Sequence, residues 1–232
     1  MMKYDEDLGE IILRHNTRAV HYSIRIVNGH VVATVPNNGS EREALDFVEQ
    51  KRERLLTLLK NAAPTLVFDE KTELLTQTFC LKIIRNDLTH IYYSLKDGCL
   101  TISCPQKADI QDDYIQKQIK HIITEALRHE AKRVLPSRLK ELATLHGFEY
   151  SAVKINNSRS HWGSCTIRKG INISLSVMLL PEYLSDYIML HELCHTREMN
   201  HGIGFWALMD KVTGGKTAIY RKDLKNRKMF PQ

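Results

Sequence analysis

The chain has 232 residues, of which 43% are hydrophobic and 26% charged, and its formal net charge is +6 at pH 7. This composition is typical of a soluble globular protein with one large domain or two small ones. The N-terminus shows no apolar leader and no apolar stretch approaches the length of a membrane span, so we expect a cytoplasmic protein without membrane segments. The five cysteines contain no Cys-x-x-Cys pair, which argues against a disulfide framework and a thiolate metal site.

The N-terminal segment predicts two strands followed by a helix. A turn at Asn28 separates the apolar segments 20–27 and 30–35, and an Asn-Gly pair supplies the positive φ angles of a two-residue hairpin turn. Pro36 ends the second strand. A Ser-x-x-Glu capping box then opens a helix that we expect to run until Pro64.

The same order of elements recurs in the next part of the chain. Segments 78–84, 90–95 and 100–104 have the character of strands, and Pro105 ends the last of them before a helix from about Asp109. The recurrence indicates either a weak internal duplication or two similar β-β-α pieces of independent origin, and both interpretations stay open.

The second half begins with helical spacing and returns to strands. Residues 110–145 keep apolar positions at helical intervals, with Pro136 marking a kink or a break into two helices. Segments 150–156 and 171–175 alternate as strands. We therefore predict an α+β fold, with β-β-α units followed by a half that combines a mixed sheet with a buried helix.

That helix carries the pattern His-Glu-x-x-His at His191, Glu192 and His195, followed by His201. Residues four apart share one face of a helix, so His191 and His195 can bind one metal ion, and His201 is the candidate third ligand. Three protein ligands with an open fourth position are typical of catalytic zinc, on which the pKa of water falls to about 7. Glu192 is then placed to act as general base, and the pattern predicts peptide-bond hydrolysis through a metal-activated water, with one zinc ion per chain.

The flanking segments favour an interior position for this helix. Pro181 suits its first turn, and the residues up to Leu190 are apolar nearly all round, as in a buried helix. A second apolar helix follows His201, in which Phe205 and Trp206 either wall the site or simply pack in the core.

Several motifs resemble the YgjP-like metallopeptidases, a family of zincins. The similarity rests on "HWGSC", "INISLSVMLLP", "DYIMLHELCHTREMNH" and "GFWALM", and it extends over nearly the whole chain. It implies zinc ligation by His191, His195 and His201, catalysis by Glu192, and a position near the active-site helix for the Trp-Gly-Ser-Cys run. Substrate-binding candidates are Arg159, His161, Trp162, Gly163, Ser164 and Tyr220. The family usually has Arg where this chain has His161, and an imidazole lacks the guanidinium's bidentate fork.

The resemblance gives a zincin-like catalytic domain at residues 108–232, ending in a basic tail, after a β-rich N-terminal region at residues 1–107. The favoured function is a zinc metalloendopeptidase that acts on proteins or peptides. A distant relation to SprT and WLM zincins, together with the basic tail, supports an alternative: a nucleic-acid-associated protein, or a protease whose basic surface recruits DNA. A metal site without turnover ranks lowest. The sequence does not predict the oligomeric state.

Overall fold

The computed structural model describes residues 2–27, 29–60, 67–158 and 160–230. The chain divides into two compact units, Met1–Leu66 and Val67–Gln232. This division lies well before the boundary predicted at residue 107. The reason is that Leu100 and Ile102 come from the segment assigned to the N-terminal region. They share one hydrophobic core with Ile119 and with the helix that carries the His-Glu-x-x-His pattern.

The first unit is a four-stranded sheet with two helices. The predicted hairpin is confirmed, because the strands on either side of residue 28 pair antiparallel. The capping box is present as well, with the Ser40 hydroxyl accepting from the Glu43 backbone N–H. The elements are β1 (Met2–Asp5), β2 (Gly9–Asn16), β3 (Ser23–Val27), β4 (His30–Pro36), α1 (Glu41–Gln50) and α2 (Arg52–Lys60), and the sheet order is β1-β2-β4-β3.

The single helix predicted after Ser40 is wrong in one respect. At Lys51 the backbone leaves the helical region, with φ −108° and ψ 8°, so α1 and α2 are separate helices. Arg52, directly after this break, reaches back to the carboxylates of Asp5 and Glu49. Pro64, the predicted end of the helix, lies outside the described residues.

The second unit contains two three-stranded sheets and four α-helices among its described residues. The first sheet comprises β5 (Cys80–Asn86), β6 (Tyr92–Lys96) and β7 (Cys99–Pro105), in the order β5-β7-β6. The second comprises β8 (Ala152–Asn156), β9 (Gly163–Cys165) and β10 (Gly170–Ser174), in the order β8-β10-β9. The helices are α3 (Asp113–His146), α4 (Glu182–Cys194), α5 (Ile203–Thr213) and α6 (Thr217–Lys225), and a 3-10 helix spans Leu175–Leu179.

Helix α3 continues through Pro136, so of the two outcomes predicted there the break into two helices does not occur. The Asp112 side chain caps the start of the helix, because its carboxylate accepts hydrogen bonds from two backbone N–H groups of the first turn. Gly147 ends the helix with φ 68°, a left-handed conformation that glycine adopts without a Cβ penalty. The α+β fold class is confirmed. None of the helices in the described ranges is long and apolar enough to cross a bilayer.

The three sheets share one pattern of pairing. In each, three consecutive strands form the same motif: the first and third run parallel, and the second pairs antiparallel with the third at one edge. The three sets are β2, β3 and β4, then β5, β6 and β7, then β8, β9 and β10. The first strands of these sets, β2, β5 and β8, end at Asn16, Asn86 and Asn156, each 70 residues after the one before. The sequence indicates similar β-β-α pieces in two parts of the chain. The same strand topology also occurs in the third sheet, which packs against α4.

Candidate metal and active site

Helix α4 is the centre of the second unit. It contacts α3, α5, α6, β9 and β10, which explains why its sequence is apolar nearly all round. Arg138 of α3 fixes it from the side through a bidentate ion pair with Asp186, at 2.9 Å from Nε to Oδ1 and 2.6 Å from Nη2 to Oδ2. The histidines at its C-terminal end are therefore carried on a rigid support.

The three predicted ligands converge. The Nε2 atom of His191 lies 3.2 Å from that of His195 and 3.0 Å from that of His201. The Nδ1 atom of His195 lies 3.0 Å from the carbonyl oxygen of Glu198, an acceptor that assigns the proton to Nδ1 and leaves Nε2 free as a ligand. The arrangement presents three ring nitrogens to one point.

The chain returns to this point after α4 because the connecting turn is anchored. The Arg197 guanidinium donates to the carbonyl oxygen of Gly147 and lies over the Phe148 ring, 4.5 Å from its centroid. These contacts tie the segment between His195 and His201 to the C-terminal end of α3.

Helix α5 supplies an aromatic wall. Phe205 is fully buried and stacks on His195 at 4.5 Å between ring centroids, so it packs in the core and also walls the site. Trp206 stacks on His201 with a centroid distance of 5.5 Å, and its Nε1–H donates to the His201 carbonyl oxygen at 3.0 Å. Trp206 therefore orients His201 by contacting both the imidazole ring and the backbone carbonyl group of that histidine.

Burial sets the charge state of the site. The burial of His191, together with repulsion by the neighbouring His195 and His201, lowers the pKa of His191 to about 3. The His191 imidazole is therefore neutral at pH 7, which is its metal-binding form. Burial raises the pKa of Cys194 to about 12, which keeps this thiol protonated and makes it a core residue rather than a ligand.

Glu192 lies beside the histidines and is 5% exposed. Burial raises the pKa of its carboxyl group to about 8, and Oε2 has no hydrogen-bond partner within the described residues. A buried carboxylate oxygen without a partner is costly in a purely structural role. Glu192 also lines the cleft with His191 and His201, so its carboxyl group adjoins the space where a ligand or water would bind.

The edge strand β9 approaches Glu192 closely at Gly163. A Cβ atom built on Gly163 would lie 2.7 Å from both Cγ and Oε1 of Glu192. The Trp-Gly-Ser-Cys run thus contains a glycine because the Glu192 side chain occupies the space that any other residue's Cβ would need.

The other predicted substrate-binding residues are not all in the cleft. His161, Trp162 and Gly163 line a cavity of about 680 Å³ together with His191, Glu192 and His201. Ser164 is exposed and accepts from the Asn172 side-chain amide at 3.2 Å. Tyr220 does not line the cavity, since its ring packs against Tyr183 and Tyr187. Arg159 lies outside the described residues.

The sequence prediction missed helix α6. Its Arg221, Leu224 and Lys225 line the cavity, whereas the sequence predicts only a basic tail in this segment, without a helix. The spacing of Thr217, Tyr220 and Leu224, which are buried or packed against the core, is helical and was the signal for this element.

The donor set fits a metal ion. Three imidazole nitrogens that all lie within 4.8 Å of one another suit zinc and other borderline metals. The Glu192 carboxyl group beside them has an oxygen without a hydrogen-bond partner among the described residues, so it can accept a proton from a molecule bound next to the metal.

A model of the YgjP-like metallopeptidase domain matches residues 20–227. The chain belongs to the YgjP-like metallopeptidase family. No curated protein matches this YgjP-like chain significantly. A solved structure that matches is the metallopeptidase zymogen of Pyrococcus abyssi abylysin, with 22% identity, a TM-score of 0.36, and coverage of 42% of this chain and 100% of that one.

Proposed function

We propose that this YgjP-like protein is a zinc-dependent endopeptidase. The observation that supports this most strongly is the convergence of three Nε2 atoms next to the buried, partnerless carboxylate of Glu192. His191, His195 and His201 are the proposed ligands of one zinc ion per chain. When bound, zinc supplies a Lewis acid that polarises the scissile carbonyl group and acidifies the attacking water.

Glu192 is the proposed general base. In its deprotonated form, the Glu192 carboxylate takes a proton from the attacking water and then passes it to the leaving amine of the cleaved bond. The burial of Glu192 and its close approach to Gly163 hold this carboxylate in one position, so the proton transfers need little reorganisation.

Strand β9 is the proposed support for the substrate backbone. It lies at the edge of its sheet and is paired only with β10 within the described residues, so its outer side is free to pair with an extended peptide. Such a peptide would run past Glu192 in both directions. This favours cleavage inside a chain over removal of terminal residues.

The test is Glu192→Gln, an isosteric change that removes the base. We expect zinc content to stay at the wild-type level while cleavage of unfolded casein falls by about 10²- to 10⁴-fold, the usual contribution of a general base. Glu182→Gln is the matched control, because Glu182 is an exposed residue in the first turn of the same helix. Undiminished cleavage by the zinc-loaded Glu192→Gln variant would contradict the proposal.

A further inference from the structure

Two cations of α6 face the metal cleft. Arg221 and Lys225 are four residues apart, so their side chains lie on one face of the helix, and both line the cavity that contains His191 and Glu192. The acidic residue of α6, Asp223, lies between them in sequence, and its carboxylate accepts from the Tyr183 hydroxyl at 3.3 Å. Asp223 is therefore engaged away from the two cations.

Arg221 is held in place by an aromatic ring. Its guanidinium carbon lies 4.4 Å from the centroid of Trp206, the same side chain that stacks on His201. No carboxylate forms an ion pair with Arg221 in the ranges that the structure describes. Because a cation–π contact uses the face of a guanidinium, its N–H edge stays free for a planar anion.

The charge of the cleft complements a carboxylate. Among the described residues that line it, Glu192 is the acidic one, whereas Arg221 and Lys225 are both cationic. A guanidinium offers a planar fork that a carboxylate can accept from with both oxygens, and the ammonium one helical turn away adds a second positive charge. Arg221 lies beside the proposed ligand His201 through Trp206, which places such an anion close to the proposed scissile bond.

We propose that Arg221 and Lys225 form an anion-binding subsite, which takes a carboxylate of the peptide substrate. This inference rests on the proposed function, since it names the substrate class of the same cleft: acidic polypeptide segments. The carboxylate comes from an aspartate or glutamate side chain or from a chain end. Trp206 is a positioning residue for Arg221 in this subsite.

Binding is measured first, in the zinc-loaded Glu192→Gln protein. The probes are two fluorescein-labelled decapeptides, one of alternating Ala and Glu and the other of alternating Ala and Gln, each with an amidated C-terminus. We expect the acidic peptide to bind at least 10-fold more tightly by fluorescence anisotropy, as a charge-assisted hydrogen-bonded pair should. Adding Arg221→Gln and Lys225→Gln should reduce this preference to less than about 3-fold.

The matched control carries Lys222→Gln and Lys228→Gln. Both lysines are exposed near or within α6 and do not line the cleft, so this variant loses the same charge without losing the subsite. We expect it to keep the preference for the acidic peptide. Equal binding of the two peptides in the parent protein, or a preference that survives in the Arg221/Lys225 variant, would overturn the inference.

Two further arms identify the source of the anion. A neutral peptide with a free C-terminus that binds 10-fold more tightly than its amide, through Arg221 and Lys225, would assign the subsite to chain ends. A decameric oligothymidylate that displaces the acidic peptide at lower concentration, and needs the same two residues, would overturn the inference in favour of nucleic acid.

One cleavage experiment separates a wrong subsite from a wrong proposed function. A library of proteome-derived peptides is incubated with the zinc-loaded wild-type protein, and the cleaved bonds are identified by mass spectrometry. Absence of cleavage contradicts the proposed peptidase, whereas cleavage without enrichment of acidic residues or chain ends near the cleaved bond contradicts only the subsite.

Discussion

At the scale of single residues, the site depends on Gly163 as much as on the histidines. Gly163 has no positive φ angle, so it is required for space rather than for backbone conformation. It lies against the side chain of Glu192, which is itself buried. A methyl group at this position must displace the carboxylate.

We therefore predict that Gly163→Ala lowers kcat for peptide cleavage by about 10- to 100-fold, since a shift of about 1 Å in a catalytic group costs on that order. Zinc content should stay at the wild-type level because the three atoms nearest to an added Cβ all belong to Glu192 and not to a histidine ligand. Gly202→Ala is the control, as a Cβ there meets nothing within 4 Å. Full activity of Gly163→Ala would show that the space beside Glu192 is not limiting.

The sequence predicts the histidines and Glu192 but gives no reason for Gly163. The His-Glu-x-x-His pattern is local, because helical periodicity alone brings its residues together. The contact of Gly163 with Glu192 joins residues far apart in sequence and depends on how β9 packs on α4. Such a contact follows from tertiary packing and has no local signal.

At the scale of elements, the repeated sheet shows what distinguishes the catalytic copy. In the first unit, the residue just before the edge strand is Tyr22, which reaches helix α1 and donates from its hydroxyl to Glu43. Just before β6 the residue is Ile91, which packs on the core. In the third sheet the residue just before β9 is Trp162, which lines the cleft, and the first residue of β9 is Gly163, beside which α4 places Glu192.

The tie between β1 and α2 gives a stability prediction at the same scale. The Asp5 carboxylate accepts from the Arg52 guanidinium and from the backbone N–H groups of Asp7 and Leu8, and these bonds, led by Arg52, lower its pKa to about 2. A carboxyl group with a lowered pKa stabilises the folded state above its ordinary pKa near 4. That contribution is lost as the pH falls from about 4 to about 2.

Asp5→Asn should consequently destabilise the first unit by about 1 kcal/mol at pH 6, a value reduced for solvent screening. The difference from wild type should shrink as the pH falls to 2.5. Urea unfolding followed by far-UV circular dichroism at both pH values measures it. Asp7→Asn serves for comparison, because Asp7 contacts the same guanidinium but is 67% exposed, and we expect a smaller effect. A difference that grows on acidification would have the wrong sign for this account.

Elements with strong local signals were predictable and those with weak signals were not. The hairpin around residue 28 and the capping box at Ser40 have fixed turn and cap chemistry, and both are present. The break at Lys51 has no such turn or cap chemistry in the sequence. In α6, charged residues conceal a short apolar stripe. Helix α6 contributes two of the cations in the cleft, so the basic tail belongs to the site.

At the scale of the whole molecule, the basic character of the chain has a local explanation. Two of the C-terminal cations, Arg221 and Lys225, face the metal cleft. The two aromatic residues of this tail that could stack on nucleic-acid bases are packed, with Tyr220 against two tyrosines and Phe230 buried beside Phe68. Under the proposed function, the two cations in the cleft bind the peptide substrate.

The central claim is that three histidines hold one catalytic zinc ion, and metal content tests it most directly. Elemental analysis of the freshly purified protein is compared with His201→Ala and with the control His121→Ala, a change at an exposed position of α3. We expect about one zinc per chain in wild type and the control, and a large loss in His201→Ala, because a zinc site with two protein ligands binds much more weakly. A wild-type protein that takes up no zinc when it is added, or equal retention by His201→Ala, would contradict the account.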